Sequence, residues 1–296
     1  MTVLASILVP THDHASTLPL TVASALHQTV SDIEVVLIGD GVTPEVRAVA
    51  ENLVASDGRV RFLDYPKGAN HGEVYRDTAI RDASSDAIFY LCDDDILMRD
   101  HVADLLELLT RHNFVQCKNG YFMTDGNIQP YAGDLATAET IVWQLNDLMR
   151  FNIVSLTGTA HSRQFYLDAD QPWSVTPAGQ WPDHFQWSKM MRNSAFSGAT
   201  STRMTALQFP SSDGDRDKWS SKKRLAEISK WANLARSPEG QAIIDRLVAL
   251  GDRRQLVHNS HRLAYLELQY ARRGQVWARN LADSIGRLRH RHPSPR

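Results

Sequence analysis

Four apolar runs, VLASILV (3–9), IEVVLIG (33–39), RVRFLDY (59–65) and DAIFYLC (86–92), constrain the fold of this chain more than any other feature. The first two are continuous rather than alternating, the pattern of a strand covered on both faces. Between the runs lie helical patterns. STLPLTVASALHQ carries Leu18, Val22, Ala25 and Leu26 at helical spacing, and Thr43 precedes Pro44 in a good helix start. Further helices are expected from about Gly72 to Ala83 and from Asp100 to Arg111. Strands alternating with helices imply βαβ units around a mostly parallel sheet. In such sheets ligands sit beyond the carboxyl ends of the strands. Pro10-Thr11, Asp40 and the run Asp93-Asp94-Asp95 all fall there, so three strand ends are expected to converge on one site.

The aspartate run poses an electrostatic problem. Three adjacent anions directly after a buried strand repel one another, so they need a compensating cation or a wet setting. His12, Asp13 and His14 superficially suggest a metal site, but adjacent loop residues rarely converge on one ion, and a turn role for Asp13 is expected instead. Cys92 and Cys117 are too few for a disulfide framework and lack metal-ligand spacing. A reducing, cytoplasmic setting is therefore expected. A net charge of -2 argues against general nucleic-acid binding, which needs a basic face. The start, MTVLASILVPTHDH, has no positive region before its short apolar run, so it does not read as a signal peptide, and no stretch reaches the length of a membrane span.

Further along, FVQCKNGYFMTDGNIQPY reads as a hairpin turning at Asp125-Gly126, and the polar stretch FPSSDGDRDKWSSKKR (209–224) reads as a boundary. The expected organisation is one α/β region over 1–210, divided at about 118. A helical region over 211–296 follows. Its end, ARRGQVWARNLADSIGRLRHRHPSPR, is basic and amphipathic. That pattern is compatible with an anionic membrane surface, but a helix packed on the preceding domain or on a second copy of the chain is the favoured reading.

Three ordered blocks carry a family resemblance. ILVPTHDHASTLPLTVASALHQTVSDIEVVLIGDG, GANHGEVYRDTAIRDASSDAIFYLCDDDILMRDHV and WPDHFQWSKMMR resemble the family-two inverting glycosyltransferases of the GT-A fold, over about residues 4–195. The resemblance implies an α/β, mostly parallel Rossmann-like sheet with a C-terminal helical extension. It also implies transfer of a sugar from a nucleotide diphosphate to an acceptor hydroxyl, with Mn or Mg as cofactor. On that reading the catalytic domain has a nucleotide-sugar part over about 1–118 and an acceptor part over about 119–210, and Asp93, Asp94 and Asp95 form the metal site, Asp93 lying near the ribose while one or both of Asp94 and Asp95 reach the ion. Asp40 accepts a hydrogen bond from the nucleobase, and Pro10 and Thr11 contact base or ribose. Gly72 and Arg76 hold the nucleotide or order the acidic cluster. Asp183 is the base that takes the acceptor's proton; the competing reading for it is a helix N-cap. Trp173, Trp181 and Trp187 either stack on sugars or belong to the core, and His184 either assists at phosphate or packs.

The partners implied are a UDP-sugar and a glycan or glycoconjugate acceptor. Two positions depart from the family pattern: Gly39, where a second base-contacting carboxylate is common, and Cys92, before the acidic run. Nothing resembles the Gln-x-x-Arg-Trp signature of processive synthases, so single-sugar transfer is expected. An aspartyl phosphotransferase is disfavoured by Leu97, two residues after Asp95 where a small hydroxyl residue belongs. A nucleotidyltransferase is disfavoured by PTHDHAST, which lacks a glycine-rich loop. A catalytically silent relative acting as a scaffold is the remaining alternative.

Overall fold

The computed structural model describes residues 2–130, 133–145, 152–170 and 172–253. The four apolar runs become β1 (Ala5–Thr11), β2 (Ile33–Asp40), β3 (Val60–Tyr65) and β4 (Ala87–Tyr90). They alternate with α1 (Leu18–Leu26), α2 (Pro44–Ser56) and α3 (Tyr75–Arg81), and α4 (His101–Leu109) follows the short strand β5 (Ile96–Leu97). The start of α2 is fixed as the sequence suggests: the Thr43 hydroxyl accepts from the Val46 N–H at 3.3 Å, and Pro44 opens the helix.

The later strands are shorter. They are β6 (Phe114–Gln116), β7 (Gly120–Phe122), β8 (Ile128–Pro130), β9 (Thr159–Ser162), β10 (Gly198–Thr200) and β11 (Ala206–Leu207). The intervening helices are α5 (Ala138–Gln144), α6 (Arg163–Asp168) and α7 (Pro182–Met191). Seven strands form the central sheet in the order β10-β6-β9-β4-β1-β2-β3, all running one way except β9, which is antiparallel to both its neighbours. β7 and β8 form the expected hairpin, with Gly126 at φ +83° in its turn.

Both faces of the sheet are covered, as continuous apolar strands require. Ile7, Val9, Val35 and Leu37 pack in one apolar cluster with α1 and α2, while Leu8, Val36, Ile38 and Tyr90 pack in another with α3, Trp173 and Trp187. A third cluster joins Ile96, Met98, Phe122 and Phe209 to Ile228, Ala232 and Ala235 of α8 (Ser221–Arg236). Because α8 is bound in this way, the compact unit runs to Val248 rather than ending at the polar stretch 209–224. That stretch folds as a turn and a 3-10 helix, Asp213–Lys218, pinned by the buried Arg216, which donates to the Phe122 and Pro210 carbonyls. Among the described residues no helix is long and apolar enough to cross a membrane. The basic amphipathic segment 271–296 lies outside the described residues.

Candidate active site

The strand ends determine what meets at the site. β1 lies between β2 and β4, paired in parallel to both, so the segments leaving these three strands are neighbours. They open an exposed-mouthed cavity of about 410 Å³ lined by Pro10, Thr11, Asp40, Arg76, Asp93 and Asp183, together with His12, His14, Lys67, His71, Cys92 and Trp181. Gly72, Asp94 and Asp95 are not among its lining residues, although Asp94 adjoins His14 and Asp93, which are.

Asp40 ends β2 with its side chain only 7% exposed. One carboxylate oxygen accepts from the Gly68 N–H at 2.6 Å, the other from the Lys67 ammonium. The His12 ring donates to the Asp40 carbonyl at 2.7 Å. Gly72 has φ +60°, and a Cβ there would fall 2.4 Å from Asp40 Cγ, so this glycine is what lets the loop approach the aspartate. Gly39 is constrained by its neighbour in β3: a Cβ at that position would meet the Phe62 ring at 2.9 Å. A second carboxylate at the end of β2 would require the Phe62 ring to shift.

The acidic run divides into members with different surroundings. Asp93 Oδ1 accepts from His14 Nδ1 at 2.8 Å, and this bond raises the His14 pKa to about 9 against the lowering effect of burial. Asp94 Oδ2 accepts from Arg224 Nη2 at 2.7 Å; burial and the Asp93 charge push the Asp94 carboxyl upward, while His14 and Arg224 pull it down. Asp95, expected among the metal ligands, has both oxygens engaged by protein donors: the Thr157 hydroxyl at 2.6 Å and the Phe209 N–H at 3.0 Å. Burial and then the Asp94 charge push its carboxyl up, while the Thr157 and Phe209 bonds oppose the rise. The repulsion among the three is therefore relieved by the chain itself. Two members each face a cationic partner, His14 or Arg224, and the third is held by the Thr157 and Phe209 donors.

Among the described residues, His14, Asp93 and Asp94 each bring a possible ligand atom within 4.8 Å of the others, His14 having to release its proton to serve as one. Two carboxylate oxygens and an imidazole nitrogen form a donor set that fits a divalent ion of the Mn type.

Asp183 lies in the first turn of α7. The N-cap is Trp181 and Pro182 takes the first helical position, so Asp183 is not the cap and its carboxyl faces the cavity. Burial raises its pKa, while Arg76, its own N–H, His71 and the Leu156 backbone oppose the rise. Arg76 is 5% exposed; its Nε and Nη1 are enclosed without a hydrogen-bond partner, and its guanidinium rests 4.5 Å from the centroid of the Trp173 ring. Trp173 is held in turn by the Tyr90 hydroxyl, which accepts from its Nε1 at 3.2 Å. Buried donors without acceptors are rare, and Arg76 is one that lines the cavity. Thr11 Oγ1 is likewise buried without a partner.

The three tryptophans separate cleanly. Trp173 and Trp187 are core residues, 5.2 Å apart and edge-on, whereas Trp181 is 66% exposed on the cavity rim. His184 packs, bonded to the Gln144 carbonyl at 2.8 Å.

Comparison with known proteins gives a consistent picture. The family model described as "Glycosyl transferase family 2" matches residues 6–163. An uncharacterized glycosyltransferase of Haemophilus influenzae is 28% identical over 123 residues, covering 41% of this chain and 48% of that protein. Chondroitin synthase of Pasteurella multocida is 27% identical over 173 residues, covering 58% of this chain and 17% of that one. The chain thus spans less than half the length of these curated relatives. Among solved structures, S. aureus TarS 1–349 in complex with UDP-GlcNAc superposes with a TM-score of 0.54 at 14% identity, over 84% of this chain and 71% of that one. The mannosyltransferase PcManGT of Pyrobaculum calidifontis, in complex with GDP-Man and Mn2+, gives 0.52 at 13% identity, over 88% and 80%. At such identities the likeness concerns the fold, and both neighbours share the mostly parallel sheet.

Proposed function

The chain belongs to glycosyl transferase family 2, and from that membership together with the cavity we propose that it is an inverting, metal-dependent glycosyltransferase. It moves one sugar from a nucleotide diphosphate, a UDP-sugar in the first instance, to an acceptor hydroxyl of a glycan or glycoconjugate. The observation that carries this reading is the meeting, in one cavity, of Asp40, Asp93, the unpartnered Arg76 donors and the Asp183 carboxylate.

Each group has work that its surroundings suit. Asp40, its oxygens steadied by Gly68 and Lys67, offers remaining lone pairs to a nucleobase N–H, and Lys67 beside it offers a donor to a base carbonyl. Uracil presents that pair of groups along one edge, as guanine and thymine also do. TarS in complex with UDP-GlcNAc supports uracil. Asp93 and Asp94 with His14 would hold the divalent ion, which supplies Lewis-acid stabilisation of the departing diphosphate. Arg76 donates to the donor's phosphate oxygens from the enclosed side of the cavity, satisfying the two N–H groups that the protein leaves free. Asp183 takes the proton of the acceptor hydroxyl as that oxygen attacks the anomeric carbon on the face opposite the leaving group. Trp181, exposed beside Asp183, offers an aromatic face to the acceptor sugar.

The reading predicts slow donor hydrolysis without acceptor. Purified protein incubated with Mn2+ and a panel of UDP- and GDP-sugars should release the nucleoside diphosphate from one of them, and EDTA should stop the release. Absence of turnover and of binding across the panel, with the protein folded, points instead to a silent relative.

A further inference from the structure

The acidic run is tied to a helix that lies outside the family-matched segment. Arg224, in the first turns of α8, donates through Nη2 to Asp94 Oδ2 and through Nη1 to Glu227 Oε2, both at 2.7 Å. Glu227 also accepts from Arg216 at 2.8 Å, and Arg216 is anchored to the Phe122 carbonyl. The side chains of Asp94, Arg224 and Glu227 are 11%, 10% and 15% exposed, so solvent and salt screen this chain of charges weakly. α8 is seated by Ile228, Ala232 and Ala235 on Ile96 and Met98, the residues that directly follow the aspartates. The contact is therefore built, with apolar packing beneath it and a second ion pair behind it.

Asp94 is also one of the three groups whose atoms can hold a divalent ion. A carboxylate that already carries a guanidinium at hydrogen-bond distance binds a second cation less well, because the two positive charges repel across a few ångströms in a sheltered site. We propose that Arg224 is a resident counter-ion of the metal site: a positioning residue that holds Asp94 while the ion is absent and is displaced when the ion enters. It thereby couples metal occupancy to helix α8. This rests on the metal site proposed above. Its consequence is that the ion binds best together with an anionic donor diphosphate, whose charge offsets the guanidinium that the ion alone has to push aside.

The test is Mn2+ binding without nucleotide, read from the EPR signal of free Mn2+ for the native chain, Arg224→Met and Arg224→Lys. Arg224→Met should bind Mn2+ at least ~10-fold more tightly, since a like charge next to the ion is gone. Arg224→Lys, which keeps the charge, should stay near the native affinity. In hydrogen exchange, Mn2+ should speed amide exchange over 221–236 in the native chain and leave it unchanged in Arg224→Met. Arg224→Met leaves Asp94 without its partner, so its metal-free melting temperature should fall and Mn2+ should restore more of it than in the native chain. Native-like or weaker Mn2+ binding by a folded Arg224→Met would show that Arg224 is a structural buttress and overturn the proposal. If neither native chain nor variant binds Mn2+ at all, even with UDP present, the metal site itself is wrong and the coupling falls with it.

Discussion

Asp183→Asn should lower the rate of sugar transfer by ~100- to 10,000-fold, the range over which a positioned general base contributes, while nucleotide binding stays near native. The geometry makes the substitution a clean one. Asp183 sits in the first turn of α7 behind Pro182, and asparagine keeps the shape and an accepting oxygen for the N–H groups at Asp183 and Leu156. What is lost is the negative charge, and with it the ability to take a proton. The pH dependence has a defined sign. Burial holds the Asp183 pKa above the ordinary carboxylate range, with Arg76 limiting the rise, and the working form is the carboxylate. Native kcat should therefore increase with pH as Asp183 loses its proton and level off above its raised pKa. In the asparagine variant that limb should vanish. A variant that transfers at the native rate, with the limb retained, assigns the base elsewhere.

Arg76→Met should weaken donor binding by about 100-fold or more, the scale expected when one partner of a buried, hydrogen-bonded charge pair is truncated. Two opposing consequences would mark this as a functional rather than a structural arginine. Nε and Nη1 have no partner in the protein, so replacing them with a thioether removes a desolvation cost, and the ligand-free fold should melt no lower than native. Methionine also keeps an unbranched side chain against the Trp173 ring, where the guanidinium now rests. At the same time the cation that opposes the rise in the Asp183 pKa is gone, so the pH limb of transfer should move upward. Thermal melting, donor titration and a pH–rate profile on one variant check all three. A large fall in melting temperature with donor affinity unchanged would make Arg76 a structural residue.

How much of this was legible in the sequence depends on distance along the chain. β1 and β2 announce themselves because burial on two faces demands seven or eight consecutive strand residues with few polar interruptions. The short strands do not. TAHS becomes β9 and runs against the direction of its neighbours β4 and β6, and nothing in four residues encodes a direction. Convergence of Thr11, Asp40 and Asp93 follows from the strand ends alone. His14 was missed because adjacency ruled out a cluster of His12, Asp13 and His14. The two histidines do diverge, His12 to the Asp40 carbonyl and His14 to Asp93. The signal was there in the sheet: with Leu8 opposite Tyr90, the segments leaving β1 and β4 are side by side. Lys67 is readable in the same way, two residues past Tyr65, which pairs with Asp40.

Asp95 and Arg224 were beyond reach for a different reason. Identical residues in a row look interchangeable, and only the arrival of Phe209 and Thr157 separates Asp95 from its neighbours. The stretch 209–224 reads as a boundary because its composition is polar and turn-rich. Yet it starts with the backbone N–H that binds Asp95 and ends with the guanidinium that binds Asp94. Pairings across 114 and 130 residues leave no local pattern to detect.

The most direct test of the central claim is calorimetric titration of the folded protein with UDP, GDP and dTDP, each with and without Mn2+. A nucleotide-sugar site built from Asp40, Arg76 and the His14–Asp93–Asp94 cluster predicts that UDP binds, that Mn2+ tightens its binding severalfold or more, and that Asp40→Asn weakens it. No binding of any of the three, in either condition, would contradict a nucleotide-sugar site.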